Sequence, residues 1–170
     1  MPVVRLLRGV AALLVLSVIG CDPSGRPIED LRLAKLKPGV STEQDVRGLF
    51  GVPAFERESA GTKGLVYPLG PEGLHTLLLK IGADGKYVGH ENLLTRANFE
   101  RVKPGLQQSE VQQLLGPPGS SQDYALKQQR AWEWRFLDGQ ETRILVVMFD
   151  RSGIVVSTAI EEDPRKQGGQ

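Results

Sequence analysis

Little in this chain is chemically reactive. Its 170 residues hold one cysteine, Cys21, and two histidines, His75 and His90. A single thiol excludes an intramolecular disulfide framework and any zinc site built on paired thiolates. Both histidines fall in predicted strands or strand ends, with no second Cys, His or carboxylate at ligand spacing, and read as sheet-face residues. Charge of one sign is also lacking. The balance of 21 Lys+Arg against 20 Asp+Glu leaves +1, not the basic excess that nucleic-acid binding requires. No apolar run approaches the roughly 20 residues of a membrane-spanning helix. A phosphate-binding Gly-Lys-Ser/Thr loop, a His-Glu-x-x-His pair and a Ser nucleophile elbow are absent as well. No catalysis, metal, cofactor, nucleic acid or small-molecule substrate is therefore expected. With 40% hydrophobic and 24% charged residues, the composition is still that of a folded chain.

The first twenty residues read as a leader. Arg5 and Arg8 precede an unbroken apolar run from Val10 to Leu16, and the small residue Gly20 stands before Cys21. A basic start, a short apolar stretch and a small-residue cleavage site describe a secretory signal peptide. Val18-Ile19-Gly20-Cys21 resembles a bacterial lipobox, with Val18 where that motif prefers Leu. The resemblance implies cleavage after Gly20 and diacylglycerol on Cys21. Several acyl chains, at about 0.8 kcal/mol per buried methylene, anchor a protein stably without spanning. Asp22 at the next position resembles an enterobacterial inner-membrane retention signal, which leaves inner and outer membranes both open and the outer favoured. Residues 21–26 read as a polar tether and 161–170 as a disordered tail. No acidic residue lies in 1–20, so removing Arg5 and Arg8 leaves 19 basic against 20 acidic residues, a net of −1.

The remainder is written twice. Lys37-Pro38-Gly39-Val40 recurs as Lys103-Pro104-Gly105-Leu106, displaced by 66 residues. After a one-residue slip, Asp45-Val46 matches Glu110-Val111, Leu49-Phe50-Gly51 matches Leu114-Leu115-Gly116, and Pro53 matches Pro118. Gly85-Lys86-Tyr87-Val88 corresponds to Gly153-Ile154-Val155-Val156. Two repeats follow, at 27–92 and 93–160.

Each repeat predicts two short helices. The first spans about Ile28 to Leu36 in repeat 1 and begins at the N-cap Thr95 in repeat 2. Leu33 and Leu36 then correspond to Phe99 and Val102. Lys-Pro-Gly ends it. The second begins near Ser41 or Thr42, and near Ser109, where Gln112 has capping-box spacing. Its buried stripe is Val46, Leu49 and Phe50, or Val111, Leu114 and Leu115, and Gly51 or Gly116 closes it.

Three strands are expected next. In repeat 2, Trp132, Trp134 and Phe136 alternate with polar residues, Ile144 to Phe149 is continuously apolar, and Ile154, Val156 and Ile160 alternate again. Asp150 to Gly153 reads as the turn. Repeat 1 has weaker versions at Leu65 to Tyr67, Leu74 to Ile81 and Tyr87-Val88. Two α-α-β-β-β units with helices packed on antiparallel sheets define an α+β class. A unit of this size buries only about 60% of its unfolded surface, so the two are expected to pair.

Repeat 2, through Leu94-Thr95, Asn98-Phe99, Val102, Gly105-Leu106, Glu110-Val111 and Leu114 to Pro118, resembles the SmpA/OmlA, or BamE-like, domain. Trp132-Glu133-Trp134 and Phe149-Asp150 with Gly153 resemble that family's aromatic strand and closing hairpin. Repeat 1 matches more loosely through Gly39, Val46, Gly51, Pro53 and Gly85. It has only Tyr67 in place of the aromatic pair, and Gly82-Ala83 in place of Phe149-Asp150. The tandem arrangement also resembles the β-lactamase inhibitory protein. The BamE-like resemblance implies a membrane-anchored accessory factor of outer-membrane β-barrel assembly, working by protein contacts with that machinery or other envelope proteins. The alternative is a periplasmic binding or inhibitor-like module using the paired repeats as a recognition surface. Trp132 and Trp134 read first as core, and second as partner anchors, since Trp is a favoured hot-spot residue. The stretch Ser121 to Gln129 reads as a polar loop.

Overall fold

A computed structural model describes residues 31–59, 61–69 and 73–165. The leader, the Gly20-Cys21 junction, the tether and residues 166–170 lie outside them.

Thr42 opens the first helix. Its N–H and its hydroxyl each donate to the Asp45 carboxylate at 2.8 Å, and its oxygen accepts from the Asp45 N–H at 3.2 Å. The cap satisfies donors that helix geometry leaves orphaned. Helix α1, Glu43–Phe50, follows and closes at Gly51. In repeat 2 the preceding segment is the shorter helix α2, Arg96–Phe99, capped by Thr95. Its counterpart in repeat 1 is a 3-10 turn, Leu33–Lys35. Leu33, Leu36, Phe99 and Val102 are all buried, as the sequence predicts. Helix α3, Gln108–Leu115, closes at Gly116. The Gln107 N–H donates to the Glu110 carboxylate at 2.8 Å. Glu110, rather than the expected Ser109 and Gln112 pair, therefore completes the first turn.

The fold is α+β, with two antiparallel four-stranded sheets. Strands β1 (Phe55–Ser59), β2 (Thr62–Leu69), β3 (His75–Ile81) and β4 (Tyr87–Asn92) form the first in that order. Strands β5 (Ser120–Tyr124), β6 (Gln129–Asp138), β7 (Glu141–Phe149) and β8 (Val155–Glu162) form the second. Each sheet thus has one strand more than the three predicted. The additional strands, β1 and β5, read Phe-Glu-Arg-Glu-Ser and Ser-Ser-Gln-Asp-Tyr, with scarcely any apolar alternation. They are edge strands, held by one neighbour's ladder, and need no apolar face. The expected loop Ser121 to Gln129 is therefore most of β5, the turn and the first residue of β6, pinned by Arg130 Nε on the Asp123 carboxylate at 2.6 Å.

Two boundaries move. A register shift between Met148 and Phe149 places Val155 inward at 1% exposure and Val156 outward at 37%, correcting the predicted Ile154/Val156 phase. Glu161 and Glu162 complete β8, and Asp163 is buried against Arg135, whose Nε donates to it at 2.9 Å. The tail does not start at Glu161.

Corresponding backbone hydrogen bonds recur in the two halves. The Gly39 N–H donates to the Tyr87 carbonyl at 2.8 Å, and the Gly105 N–H to the Val155 carbonyl at 2.9 Å. Tyr87 N–H donates to Ser41, and Val155 N–H to Leu106, each at 2.8 Å. Ser41, not Val40, is therefore the counterpart of Leu106. Val40 is the residue responsible for the one-residue slip, and it is 65% exposed. Likewise Gly82 N–H bonds the Lys86 carbonyl as Asp150 N–H bonds that of Ile154. Ile81-Gly82, rather than Gly82-Ala83, thus stands where repeat 2 has Phe149-Asp150.

Each sheet buries its inner face under its own helices. Leu33, Leu36, Val46, Leu65, Tyr67, Leu77 and Leu79 share one core, and Phe99, Val111, Leu115, Trp134, Phe136, Leu145 and Phe149 another. A third, small cluster of Val66, Leu78 and Leu93 lies on the outer face of the first sheet. Helix α3 ends over that face. A Cβ placed on Gly116 would stand 2.6 Å from Thr76 Cγ2 and 3.4 Å from Val66 Cγ1. Arg57 also donates to the Gln113 carbonyl of α3. The α3 segment thus packs Val111 and Leu115 into its own core and meets repeat 1 through Gln113 and Gly116. The sheets share no ladder, and the repeats are joined by α3 on the outer face of β1–β4 and by the approach of β3 to β6.

Candidate functional site

Where α3 leaves the outer face of β1–β4 uncovered, a cleft of about 750 Å³ opens between the repeats. Leu78 of β3, Leu106 and Leu114 supply its apolar lining, while Arg57, Glu58, Lys80, Glu91, Arg101 and Glu110 supply its charge. Gly64 keeps the β2 side open, because a Cβ there would stand 2.6 Å from Leu78 Cδ1. Lys80 Nζ lies 2.9 Å from the Glu91 carboxylate, and Arg57 Nη2 lies 3.5 Å from its other oxygen. Burial pushes the Arg57 guanidinium below its ordinary value, and the nearby Arg101 adds to that. Three cations therefore stand among the three carboxylates of Glu58, Glu91 and Glu110, over an apolar base.

Such a surface binds by area and charge complementarity. Its lining, among the described residues, contains no histidine or cysteine. No group of three or more His, Cys, Asp or Glu that could hold a metal ion occurs among the described residues. Of the cleft's charged residues only Glu110 stands out in the sequence, because the others come from both repeats and Arg57 lies on the polar strand β1. The one available signal was the contrast between Leu106 and Ser41, which marks repeat 2 as apolar where it meets repeat 1.

The two tryptophans separate. Trp134 is 2% exposed, and its indole N–H donates to the Gly116 carbonyl at 3.3 Å. It is core, and it presents nothing to a partner. Trp132 is half-buried, edge-on to Trp134 at 6.0 Å and to Phe149 at 4.9 Å between ring centroids. Of the pair, only Trp132 keeps an accessible edge. Among the motif residues, Val46, Val111 and Pro53 are buried, and Leu114 and Pro118 are half-buried. Gly39 and Gly105 make the paired bonds described above, and the Gly153 carbonyl accepts from the Gln108 N–H at 3.0 Å. His90 accepts or donates at 2.6 Å with the Tyr87 hydroxyl, and burial lowers its pKa. Burial also pushes the Tyr87 hydroxyl up to about 12.

No protein-family model matches the chain, and no curated protein matches it. Among solved structures it is similar to a putative osmotically inducible lipoprotein, OsmE. The two are 27% identical over 38% of this chain and 68% of that one, with a TM-score of 0.35. It is also similar to the DUF4309-family protein YjgB of Bacillus subtilis, 13% identical over 79% of this chain and 86% of that one, with a TM-score of 0.33. A putative β-lactamase inhibitor protein from Streptococcus mutans is 12% identical over 78% of this chain and 97% of that one, with a TM-score of 0.30. TM-scores in this range transfer no function to this chain.

Proposed function

We propose that this protein is a lipid-anchored, non-catalytic binding module of the bacterial cell envelope, held by Cys21 and facing the periplasm. The observation that carries the anchor is the Val18-Ile19-Gly20-Cys21 junction, which follows a short apolar run and holds the chain's only cysteine. Residues 21–26 then serve as the tether to repeat 1 at 27–92 and to repeat 2, which runs from 93 through the end of β8 at Glu162. The amphipathic cleft between the repeats supports binding rather than turnover, since Glu91 is already paired with Lys80 and Arg57. Within that reading, the BamE-like motifs favour an accessory role in outer-membrane β-barrel assembly, with the outer membrane as its site. Trp132 is the tryptophan retained as a partner contact.

Membrane fractionation of the wild-type chain and of Cys21→Ser tests the anchor. The variant should move to the soluble fraction, and its complete retention in membranes overturns the proposal. Crosslinking the tethered protein in cells, with mass identification of its neighbours, tests the partner. Barrel-assembly components among the products support the accessory role.

A second reading rests on the cleft alone, whose mixed charges and apolar base suit an exposed segment of a soluble target, as in an inhibitor. Retention of one soluble periplasmic protein by Cys21→Ser, lost on adding Arg101→Glu at an exposed position of the cleft, would favour it over barrel assembly.

A further inference from the structure

A sheet edge is finished when its backbone is paired or guarded by charge, and β8 is neither over most of its length. Strands β1 and β5 have five residues each and carry Glu56, Arg57 and Glu58, or Asp123. Strand β4 has six, and its Gly89, His90 and Asn92 are half-buried. Strand β8 has eight, with no charge from Val155 to Ile160, and Val156, Ser157, Thr158 and Ala159 are all exposed. Val155, Val156, Thr158 and Ile160 are β-branched, the residue type that suits a strand flanked on both sides.

The register identifies the backbone groups left over. Gly139 and Gln140 join β6 to β7, with Asp138 opposite Glu141. Such a hairpin closes on a pair that exchanges both bonds, so odd-numbered residues of β7 bond β6 and even-numbered ones bond β8. The Asp150 N–H, which donates to the Ile154 carbonyl at 2.9 Å, keeps that parity. Opposite Met148, Val146 and Ile144 stand Ser157, Ala159 and Glu161, whose N–H and carbonyl groups enter the ladder. Those of Thr158 and Ile160 point away from the sheet. Val155 shows what such groups accept. Its N–H donates to the Leu106 carbonyl at 2.8 Å, and its carbonyl accepts from the Gly105 N–H at 2.9 Å. Past Val155, no backbone bond among the described residues continues that pairing along the outer edge of β8.

We propose that the free edge of β8, from Ser157 to Glu162, binds an extended segment of another protein as an added strand. A row of unpaired N–H and carbonyl groups at strand spacing is matched by one kind of occupant, a second extended backbone. The flanking side chains set that segment's pattern. On the inner face Ile160 ends the row Trp134, Leu145, Ile160 and is half-buried against the core, so the neighbouring residue of the segment is apolar. On the outer face Ala159 leaves room, and Glu161 favours a basic residue beside it. The Gly105-Leu106 pairing at Val155 stops the segment at that end. No residue of β8 lines the cleft between the repeats, so this surface is separate from it.

Hydrogen exchange of the full-length protein, resolved to single amides, tests both the edge and its occupant. In the free protein the Thr158 and Ile160 amides should exchange at least about tenfold faster than those of Ser157, Ala159 and Glu161. The probe is a soluble peptide of alternating valine and threonine with one terminal lysine. At millimolar concentration it should slow the Thr158 and Ile160 amides at least about threefold and leave those of β1 unchanged. Thr158→Pro removes an N–H that the ladder does not use, so the variant should keep its urea midpoint and lose the response at Ile160. Ala159→Lys leaves the backbone intact and should weaken the response by placing a charge on the edge. Thr158 and Ile160 amides already protected in the free protein, no slowing by the peptide, or slowing retained in both variants overturns the proposal. So does protection that rises with protein concentration alone, which would make a second copy the occupant.

Discussion

Tyr67 and Trp134 occupy the same place in the two repeats and make the same bond. The Tyr67 hydroxyl donates to the Gly51 carbonyl at 3.0 Å, and the Trp134 indole N–H donates to the Gly116 carbonyl at 3.3 Å. Each ties the central sheet to the end of the helix lying on it, using the carbonyl of the glycine that ends that helix.

The two bonds differ in what their loss leaves behind. Gly116 is buried and Gly51 is exposed. Trp134→Phe strands a buried carbonyl and should destabilise by about 1–3 kcal/mol, with a further loss from the smaller ring. Tyr67→Phe leaves a carbonyl that water can reach, and should cost only about 0.5–1.5 kcal/mol. Urea titration of the two variants checks the order. An equal or reversed cost would show that the indole bond is not the tie.

The same glycines predict a second asymmetry. Gly51 and Gly116 have φ of +80° and +82°, and a Cβ on Gly51 meets nothing within 4 Å. Gly51→Ala therefore costs only what its backbone imposes, a positive φ with extended ψ (−151°) that is essentially reserved for glycine, about 1–3 kcal/mol. Gly116→Ala pays that and drives a methyl into Thr76 Cγ2. Its cost should exceed that of Gly51→Ala, and Thr76→Ser, which removes Cγ2, should recover part of the excess. Measuring both alanine variants with and without Thr76→Ser isolates the inter-repeat term.

How much the sequence revealed follows from where the information lies. Thr42, Thr95, Val46, Val111, Gly51 and Gly116 were legible because capping and helical periodicity are local. The aromatic strand was legible because Trp134 and Phe136 alternate with polar neighbours. Strands β1 and β5 were not, because edge strands take their stability from a partner's backbone and show no apolar alternation. The stacking of the repeats was invisible for a related reason. Leu78, Arg57 and Gln113 are distant in sequence, and the apolar run Leu77-Leu78-Leu79 of β3 does not say which element covers each face. Trp132 and Trp134 look alike in the sequence, and only the approach of Gly116 distinguishes core from rim.

Acid should weaken repeat 1 through one charge network. Arg47 lies 2.7 Å from Glu43 and 2.5 Å from Glu56, and Lys63 lies 2.9 Å from each. Bonds from Lys63 and then Arg47 hold Glu43 below its ordinary 4.5, and bonds from Arg47 and then Lys63 do the same to Glu56. A lowered carboxylate pKa gives stability that is fully present above about pH 4.5 and lost as pH falls through the folded value. These side chains are 28–41% exposed, so the network should contribute no more than about 1 kcal/mol. Glu43→Gln with Glu56→Gln should flatten the fall in stability between about pH 5 and pH 3. An unchanged acid slope in the double variant would show that other carboxylates carry it.

Leu93 and Leu94 are consecutive, yet they enter different cores. Leu93, 1% exposed, packs with Val66 and Leu78 between the repeats, and Leu94, 3% exposed, packs with Phe99, Trp134 and the rest of repeat 2. Truncating either to alanine removes similar buried area, at about 2–5 kcal/mol. The consequences should differ in kind. Leu94→Ala weakens one core while leaving the contact between repeats intact, so unfolding should remain a single transition at a lower midpoint. Leu93→Ala opens the contact itself, and two stacked units hold together through their interface term. Its denaturation should broaden or split, with a smaller apparent m-value than the wild type. Tyr67 lies in repeat 1 and Trp134 in repeat 2, so fluorescence excited selectively at tryptophan should report a different midpoint from far-UV circular dichroism in Leu93→Ala alone. Coincident transitions in that variant would place the coupling of the repeats elsewhere, at Gly116 and Thr76.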